Sequence, residues 1–214
     1  MRAQERQTLP QDVTKDTKFP RTSRRQERLE HVLARRQPDL TVILENVHDP
    51  HNIAAVLRTS DSVGVLRIHT IYTVEVRPEK AFSRRASGGT RKWIEIVHHD
   101  SVKDCFAAVH AEGMRILATA LSDRAEDFYQ TDLTSPVALL FGNEHRGATA
   151  EALAASDGHI YIPMQGMVES LNISVAAAVT LFEAQRQRLA VGAYDTPKLD
   201  PTTRTRILTD WLEM

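Results

Sequence analysis

The sequence predicts an α/β fold, a mostly parallel sheet with helices on both faces. Apolar runs of strand length recur at 40–44, 66–72, 93–97, 115–120, 137–141 and 159–162. Segments of helical period separate most of them, and repeated βα units join strands in parallel through crossover helices. At 214 residues, with 42% hydrophobic and 26% charged content, the chain suffices for one sizeable domain with short extensions rather than two large ones.

Residues 1–20 show no period, carry Pro10 and Pro20, and read as a flexible polar leader. From 21 to 37 the pattern is helical. Leu29, Val32 and Leu33 form one apolar stripe, and Arg21, Arg25, Arg28 and Arg35 fall on another face. Such a face suits phosphate recognition through the guanidinium fork, or is simply solvated. Gln37-Pro38 ends the helix.

LTVIL at 40–44 has the continuous apolar character of a strand buried on both faces, and Asp49-Pro50 is a turn signal that halts it. A helix is expected from His51 or Asn52, with Asn52 as its cap. Gly64 then lets the chain turn into the strand at 66–72.

The stretch 73–92, with Arg77, Lys80, Arg84, Arg85, Gly88, Gly89, Arg91 and Lys92, is too long for a routine link, so it is either functional or disordered. Beyond the strand at 93–97, a helix is expected at 101–112, a strand at 115–120, a connection through Asp127-Phe128, a strand at 137–141, a helix at 149–155 and a strand at 159–162. The strongest helical pattern, 172–190, is apolar over much of its circumference. A Pro-containing connection leads to a closing helix whose Ile207, Leu208, Trp211 and Leu212 must be covered by the domain itself or by a partner chain.

Cys105 is the single cysteine, so no disulfide forms within the chain and a reducing cytoplasm fits; it reads as a small buried hydrophobe. No apolar run approaches a membrane span, the polar N-terminus lacks a secretory core, and Glu5, Asp12 and Asp16 argue against a transit peptide. The net charge of −1 is unevenly spread. Residues 1–36 hold ten Lys/Arg against five Asp/Glu, a net of +5, which leaves −6 for the remainder. A basic arm on a mildly acidic body points to an anionic partner gripped locally.

Three stretches carry candidate chemistry: ENVHDPHNIAAVLRT at 45–59, LLFGNEHRG at 139–147 and IPMQGMVESLNISVAAAV at 162–179. In the first, Asn52 at a helix mouth and Arg58 in the helix could meet a phosphate or hydroxyl, or be a cap and a solvated arginine. The second follows an apolar strand, where open α/β sheets bind ligands. It is not a P-loop, and no G-x-G-x-x-G occurs. In the third, Ser170 could cap the helix that opens at 170 or 172. His48 and His51 form H-x-x-H, but Pro50 between them and the lack of a following helical histidine argue against zinc. Ser170 sits in no G-x-S-x-G elbow, which argues against acyl transfer.

In order and spacing these stretches resemble the sequence motifs of the SpoU family of RNA ribose 2′-O-methyltransferases. FEAQRQRL at 182–189 and WLEM at 211–214 resemble the branch that methylates the D-loop guanosine of tRNA. The resemblance implies a C-terminal trefoil knot in a methyltransferase domain at 38–192, followed by a C-terminal extension and helix at 193–214. It implies S-adenosyl-L-methionine as cofactor, no metal, tRNA as partner and a homodimer.

It also implies residue roles. Arg58 and Asn52 would act at the ribose, with Ser170, Asn172 and Glu144 as further active-site groups. Thr119, Gly142, Asn143, Glu144, His145, Arg146, Ile162 and Leu171 would hold the cofactor, and Arg25, Arg28, Arg36, His51, Arg186 and Arg188 would contact RNA. Because arginine is essentially always protonated, Arg58 is better suited to fix a phosphate and stabilise negative charge developing on the hydroxyl oxygen than to remove a proton. A ribosomal-RNA methyltransferase of the same family and a catalytically silent RNA-binding protein remain as alternatives.

Overall fold

The computed structural model describes residues 23–82 and 89–214, without the Lys80 side chain. The expected leader at 1–20, together with Arg21, Arg84, Arg85 and Gly88, lies outside the described residues.

The strands are β1 (Leu40–Glu45), β2 (Arg67–Ile71), β3 (Glu95–His99), β4 (Arg115–Thr119), β5 (Ala125–Asp127), β6 (Val137–Phe141) and β7 (Gly158–Tyr161). They form one sheet in the order β3-β2-β1-β6-β4-β7-β5, with every pairing parallel. Alternation along the central strands makes the two cores. Leu40, Val42 and Leu44 with Val137, Leu139 and Phe141 pack on the face carrying α2 (Pro50–Ser62) and α5 (Ile173–Ala190). Ile43, Ile71, Ile116 and Leu140 pack on the opposite face, which carries α3 (Val102–Ala111) and α4 (Ala150–Ala155). A strand buried on both faces needs an unbroken apolar run, which is why β1 and β6 read so clearly in the sequence.

Local structure departs from expectation in four places. Asp49, not Asn52, caps α2, and its carboxylate accepts from the His51 backbone N–H at 2.8 Å. Asn172, not Ser170, caps α5, accepting from the Ser174 backbone N–H at 2.8 Å. The strand expected from residue 93 begins at Glu95, because Thr90–Lys92 form a 3-10 turn and Trp93 is drawn into an edge-to-face contact with Trp211, ring centroids 5.2 Å apart. β5 was not anticipated; three residues at a sheet edge carry no readable alternation.

The closing helix α6 (Pro201–Glu213) lies against α1 (Ser23–Ala34), where Trp211 packs with Leu29 and Leu33. Its apolar stripe is thus covered within the chain. The same junction corrects the expectation that Arg36 contacts RNA. That side chain is buried, 1% exposed, lies over the Trp211 ring and donates to Asp61 Oδ1 at 2.5 Å and to the Val65 carbonyl at 2.9 Å.

Arg188 is corrected likewise. At 0% exposure it donates to Asp39 Oδ1 at 2.7 Å and to the carbonyls of Leu133 and Ser135 at 2.9 and 3.0 Å, so its charge ties α5 to the start of β1 and the approach to β6. Among the described residues no helix is long and apolar enough to cross a membrane.

Candidate active site

The carboxyl ends of β1, β4, β6 and β7 bring the three candidate stretches together, the crevice where open α/β sheets hold ligands. Because Asp49 takes the cap of α2, the Asn52 amide is free to turn outward from the first helical turn. Asn52 Nδ2 donates to Glu144 Oε1 at 3.0 Å, and Asn172 Nδ2 donates to Asn52 Oδ1 at 3.0 Å. Glu144 also accepts from the backbone N–H groups of His48 and Asp49, at 3.5 and 3.4 Å. Polar groups from the start of α2, the loop at Glu144 and the cap of α5 are thereby fixed in one chain of hydrogen bonds. This network borders a cavity of about 350 Å³ that Glu75, Asn143 and His145 also line.

A second cavity, about 410 Å³, opens on the other side of the Gly142–Gly147 loop. Every residue expected at the cofactor lines it, from Thr119 through the loop residues 142–146 to Ile162 and Leu171, and Ser170 stands at its rim. Gly142 is required by packing, since a Cβ there would overlap the backbone of Gly147 and Ala148. Asn143 holds the loop closed. Its Oδ1 accepts from the backbone N–H groups of His145 and Arg146, at 3.0 and 3.2 Å, and its main chain exchanges two hydrogen bonds with Gly147. Thr119 Oγ1 donates to the Leu140 carbonyl at 3.0 Å, tying β4 to β6 beneath the cavity.

The remaining expected residues are dispersed. Arg58 is exposed on α2, lines neither cavity, and makes no side-chain hydrogen bond or ion pair among the described residues. It stands about 9 Å along the helix axis from Asn52. His51 is exposed at the mouth of α2, and Arg28 is exposed on α1. Arg25, half-buried, donates to the Trp211 carbonyl at 3.3 Å. Arg186 projects from α5 and pairs with Glu183 at 2.8 Å. A further cavity, about 640 Å³, lies at the amino ends of β1 to β3 against α6 and contains none of the expected catalytic or cofactor residues.

Among the described residues, His69, His99 and Cys105 form the one cluster with metal-ligand types in reach of each other. His69 Nδ1 is hydrogen-bonded to His99 Nε2 at 2.9 Å. Burial holds His69 down at about 4 and pushes the Cys105 thiol up to about 12, so both groups are neutral where α3 meets β2 and β3.

Residues 39–182 match the SpoU rRNA methylase family. The chain belongs to the SpoU family. It is 52% identical over 192 residues to a Thermus thermophilus protein named tRNA (guanosine(18)-2′-O)-methyltransferase, covering 90% of this chain and 97% of that one. It superimposes on the A. aeolicus TrmH/SpoU tRNA modifying enzyme with a TM-score of 0.80 at 36% identity, over 89% of this chain and 95% of that one. The SpoU methyltransferase AviRb from Streptomyces viridochromogenes, in complex with the cofactor AdoMet, matches with a TM-score of 0.65 at 27% identity, over 74% of this chain and 61% of that one.

Sequence reasoning missed several groups in this SpoU site. Asn46 bonds three successive backbone N–H groups, Tyr72 donates its hydroxyl to the Val47 carbonyl at 2.8 Å, and Glu75 pairs with Arg146 across 71 residues of chain. Asn46, directly after a strand and beside a motif glutamate, carried the one local signal, since asparagine tolerates the left-handed backbone that ends a strand abruptly.

Proposed function

We propose that this SpoU protein transfers a methyl group from S-adenosyl-L-methionine to the 2′-hydroxyl of the tRNA ribose at guanosine(18), the position named for its Thermus thermophilus relative. The observation that carries the reading is the Asn52–Glu144–Asn172 network, whose Glu144 also lines the 410 Å³ cavity at the carboxyl ends of the strands. Mixed backbone, apolar and hydroxyl lining at Gly142, Ile162, Leu171 and Thr119 suits an adenosine joined to an amino acid. The cofactor supplies an electrophilic methyl on a sulfonium, so no metal is needed to activate it.

The chain's own task is alignment and charge. Glu144, already committed to Asn52 and to two backbone N–H groups, fixes the Asn52 amide, and Asn172 fixes its other end. A ribose hydroxyl held against this array is oriented for in-line attack, which converts a bimolecular encounter into an oriented one. Arg58, exposed and unpaired among the described residues, fixes an RNA phosphate and stabilises negative charge developing on the attacking oxygen, whose proton passes to solvent.

Arg58 lies outside the cavities of its own chain, and a homodimer accounts for it. Val175, Phe182 and Leu189 recur every seven residues on α5, about half-exposed, as an apolar seam of the kind that packs on a second helix. Across a two-fold, Arg58 of one protomer would face the cofactor loop of its partner. Arg25, Arg28, His51 and Arg186 supply tRNA contacts outside the site, the segment from β7 to α5 carries the family's trefoil knot, and a tRNA substrate sets the work in the cytoplasm.

The test is Arg58→Ala, assayed by mass-spectrometric mapping of ribose methylation in tRNA and by calorimetry with the cofactor. Turnover should drop at least a hundredfold with cofactor affinity unchanged. Wild-type turnover would defeat the assignment, and methylation mapping to ribosomal RNA alone would defeat the substrate.

A further inference from the structure

Asn46 follows β1 directly and is the only non-glycine residue with positive φ among the described residues, at 55°. It is buried, 3% exposed, at the carboxyl end of β1. Its backbone N–H donates to the Ile71 carbonyl at 2.8 Å, which extends the pairing of β1 with β2 by one step. The side-chain Oδ1 accepts from the backbone N–H groups of Thr73, Val74 and Glu75, at 3.0, 3.0 and 3.2 Å, and so caps the bend that begins the basic segment 73–92.

Its carbonyl accepts from Asn143 Nδ2 at 2.8 Å. Asn143 in turn holds the backbone of His145 and Arg146, and Arg146 pairs with Glu75. The contacts therefore close a ring: Asn46, Asn143, Arg146, Glu75 and back to Asn46. Residues of this ring line both cavities, Arg146 the larger, Glu75 the smaller, and Asn143 both.

We propose that Asn46 is a positioning residue for methyl transfer, holding the cofactor loop 142–147 and the start of the basic segment in one register. The left-handed backbone aims its carbonyl at Asn143 while its side chain reaches the 73–75 bend, and a residue other than Asn, Asp or Gly would strain at that φ. Without Oδ1 the bend has no common acceptor, Glu75 loses its fixed position, and Arg146 is released from the loop's outer edge. The effect reaches the cofactor loop although the Asn46 side chain does not touch it. The inference rests on the cofactor occupying the larger cavity.

Asn46→Gly keeps the backbone conformation and removes the acceptor, whereas Asn46→Asp keeps both. In Asn46→Gly the amides of Thr73, Val74 and Glu75 should exchange about tenfold faster, and so should those of His145 and Arg146, whose own acceptor is intact. KM for S-adenosylmethionine should rise about tenfold with kcat at saturation within about threefold of wild type, and Asn46→Asp should restore both. Faster exchange confined to residues 73–75, or a cofactor KM within about twofold of wild type, would overturn the proposal. Should Asn46→Gly fail to fold, Glu75→Ala opens the ring at its partly exposed side, and an unchanged cofactor KM there would overturn it equally. Failure of the cofactor to protect the 142–147 amides in the wild-type protein would instead reject the cavity as the cofactor site.

Discussion

Replacing Arg188 by methionine should unfold this protein more easily without first weakening its grip on RNA. The guanidinium is fully buried and makes five hydrogen bonds: to Gln37 Oε1 at 3.1 Å, Asp39 Oδ1 at 2.7 Å, and the carbonyls of Asp39, Leu133 and Ser135 at 3.1, 2.9 and 3.0 Å. Methionine fills much of the volume and satisfies none of these acceptors. Breaking a buried charged contact by removing one partner costs roughly 3–5 kcal/mol, because the other groups stay behind in a dry site.

Asp39 keeps Lys198 at 2.6 Å, which limits the loss, so about 3 to 4 kcal/mol is expected. For a domain of this size that lowers the unfolding midpoint by roughly 10 °C. Burial alone would raise the Asp39 pKa, and Lys198 and Arg188 together hold it below the usual carboxylate range, so the variant should also titrate Asp39 higher. Urea unfolding without RNA is the assay, with Arg186→Met as its control. Arg186 is exposed and, among the described residues, bonded only to Glu183, and its loss should leave unfolding unchanged while weakening tRNA binding. Wild-type stability in Arg188→Met together with lost tRNA affinity would refute the reasoning.

Arg28→Ala should reduce the slope of log affinity for tRNA against log salt by about one, with cofactor affinity unchanged; an identical slope would show that this face of α1 is merely solvated. Phe182→Asp places a charge in the middle of the α5 seam, at a side chain 50% exposed in the single chain, and should give monomers by analytical ultracentrifugation at micromolar concentration with methyl transfer lost. An active dimer would move the interface elsewhere. Burial lowers the His69 pKa from 6.5 to about 4, so between those values the unfolded chain takes up the proton and the folded one does not. Stability should therefore fall as pH drops from 6.5 toward 4, by on the order of 3 kcal/mol, and His69→Gln should flatten that slope; an unaltered slope would assign it to other groups.

The sequence by itself determined the βα alternation, the strands buried on both faces and the three stretches that meet at their carboxyl ends. These are local or periodic properties: LTVIL at 40–44 and VALLF at 137–141 need no partner to declare a buried strand. Asn52, Glu144 and Asn172 were legible as polar groups within motifs, though their mutual hydrogen bonds span 92 and 120 residues.

Only the tertiary structure decided the rest. It separated Arg36 and Arg188 from Arg28 and Arg186, which helical periodicity treats alike, because whether an arginine is buried depends on carbonyls and carboxylates delivered by remote segments. It gave the caps to Asp49 and Asn172, started β3 two residues late around the Trp93–Trp211 contact, and left Arg58 outside the cavities of its own chain. A side chain's face is set by its neighbours in sequence; its partner is set by which other chain segments the sheet brings across from it.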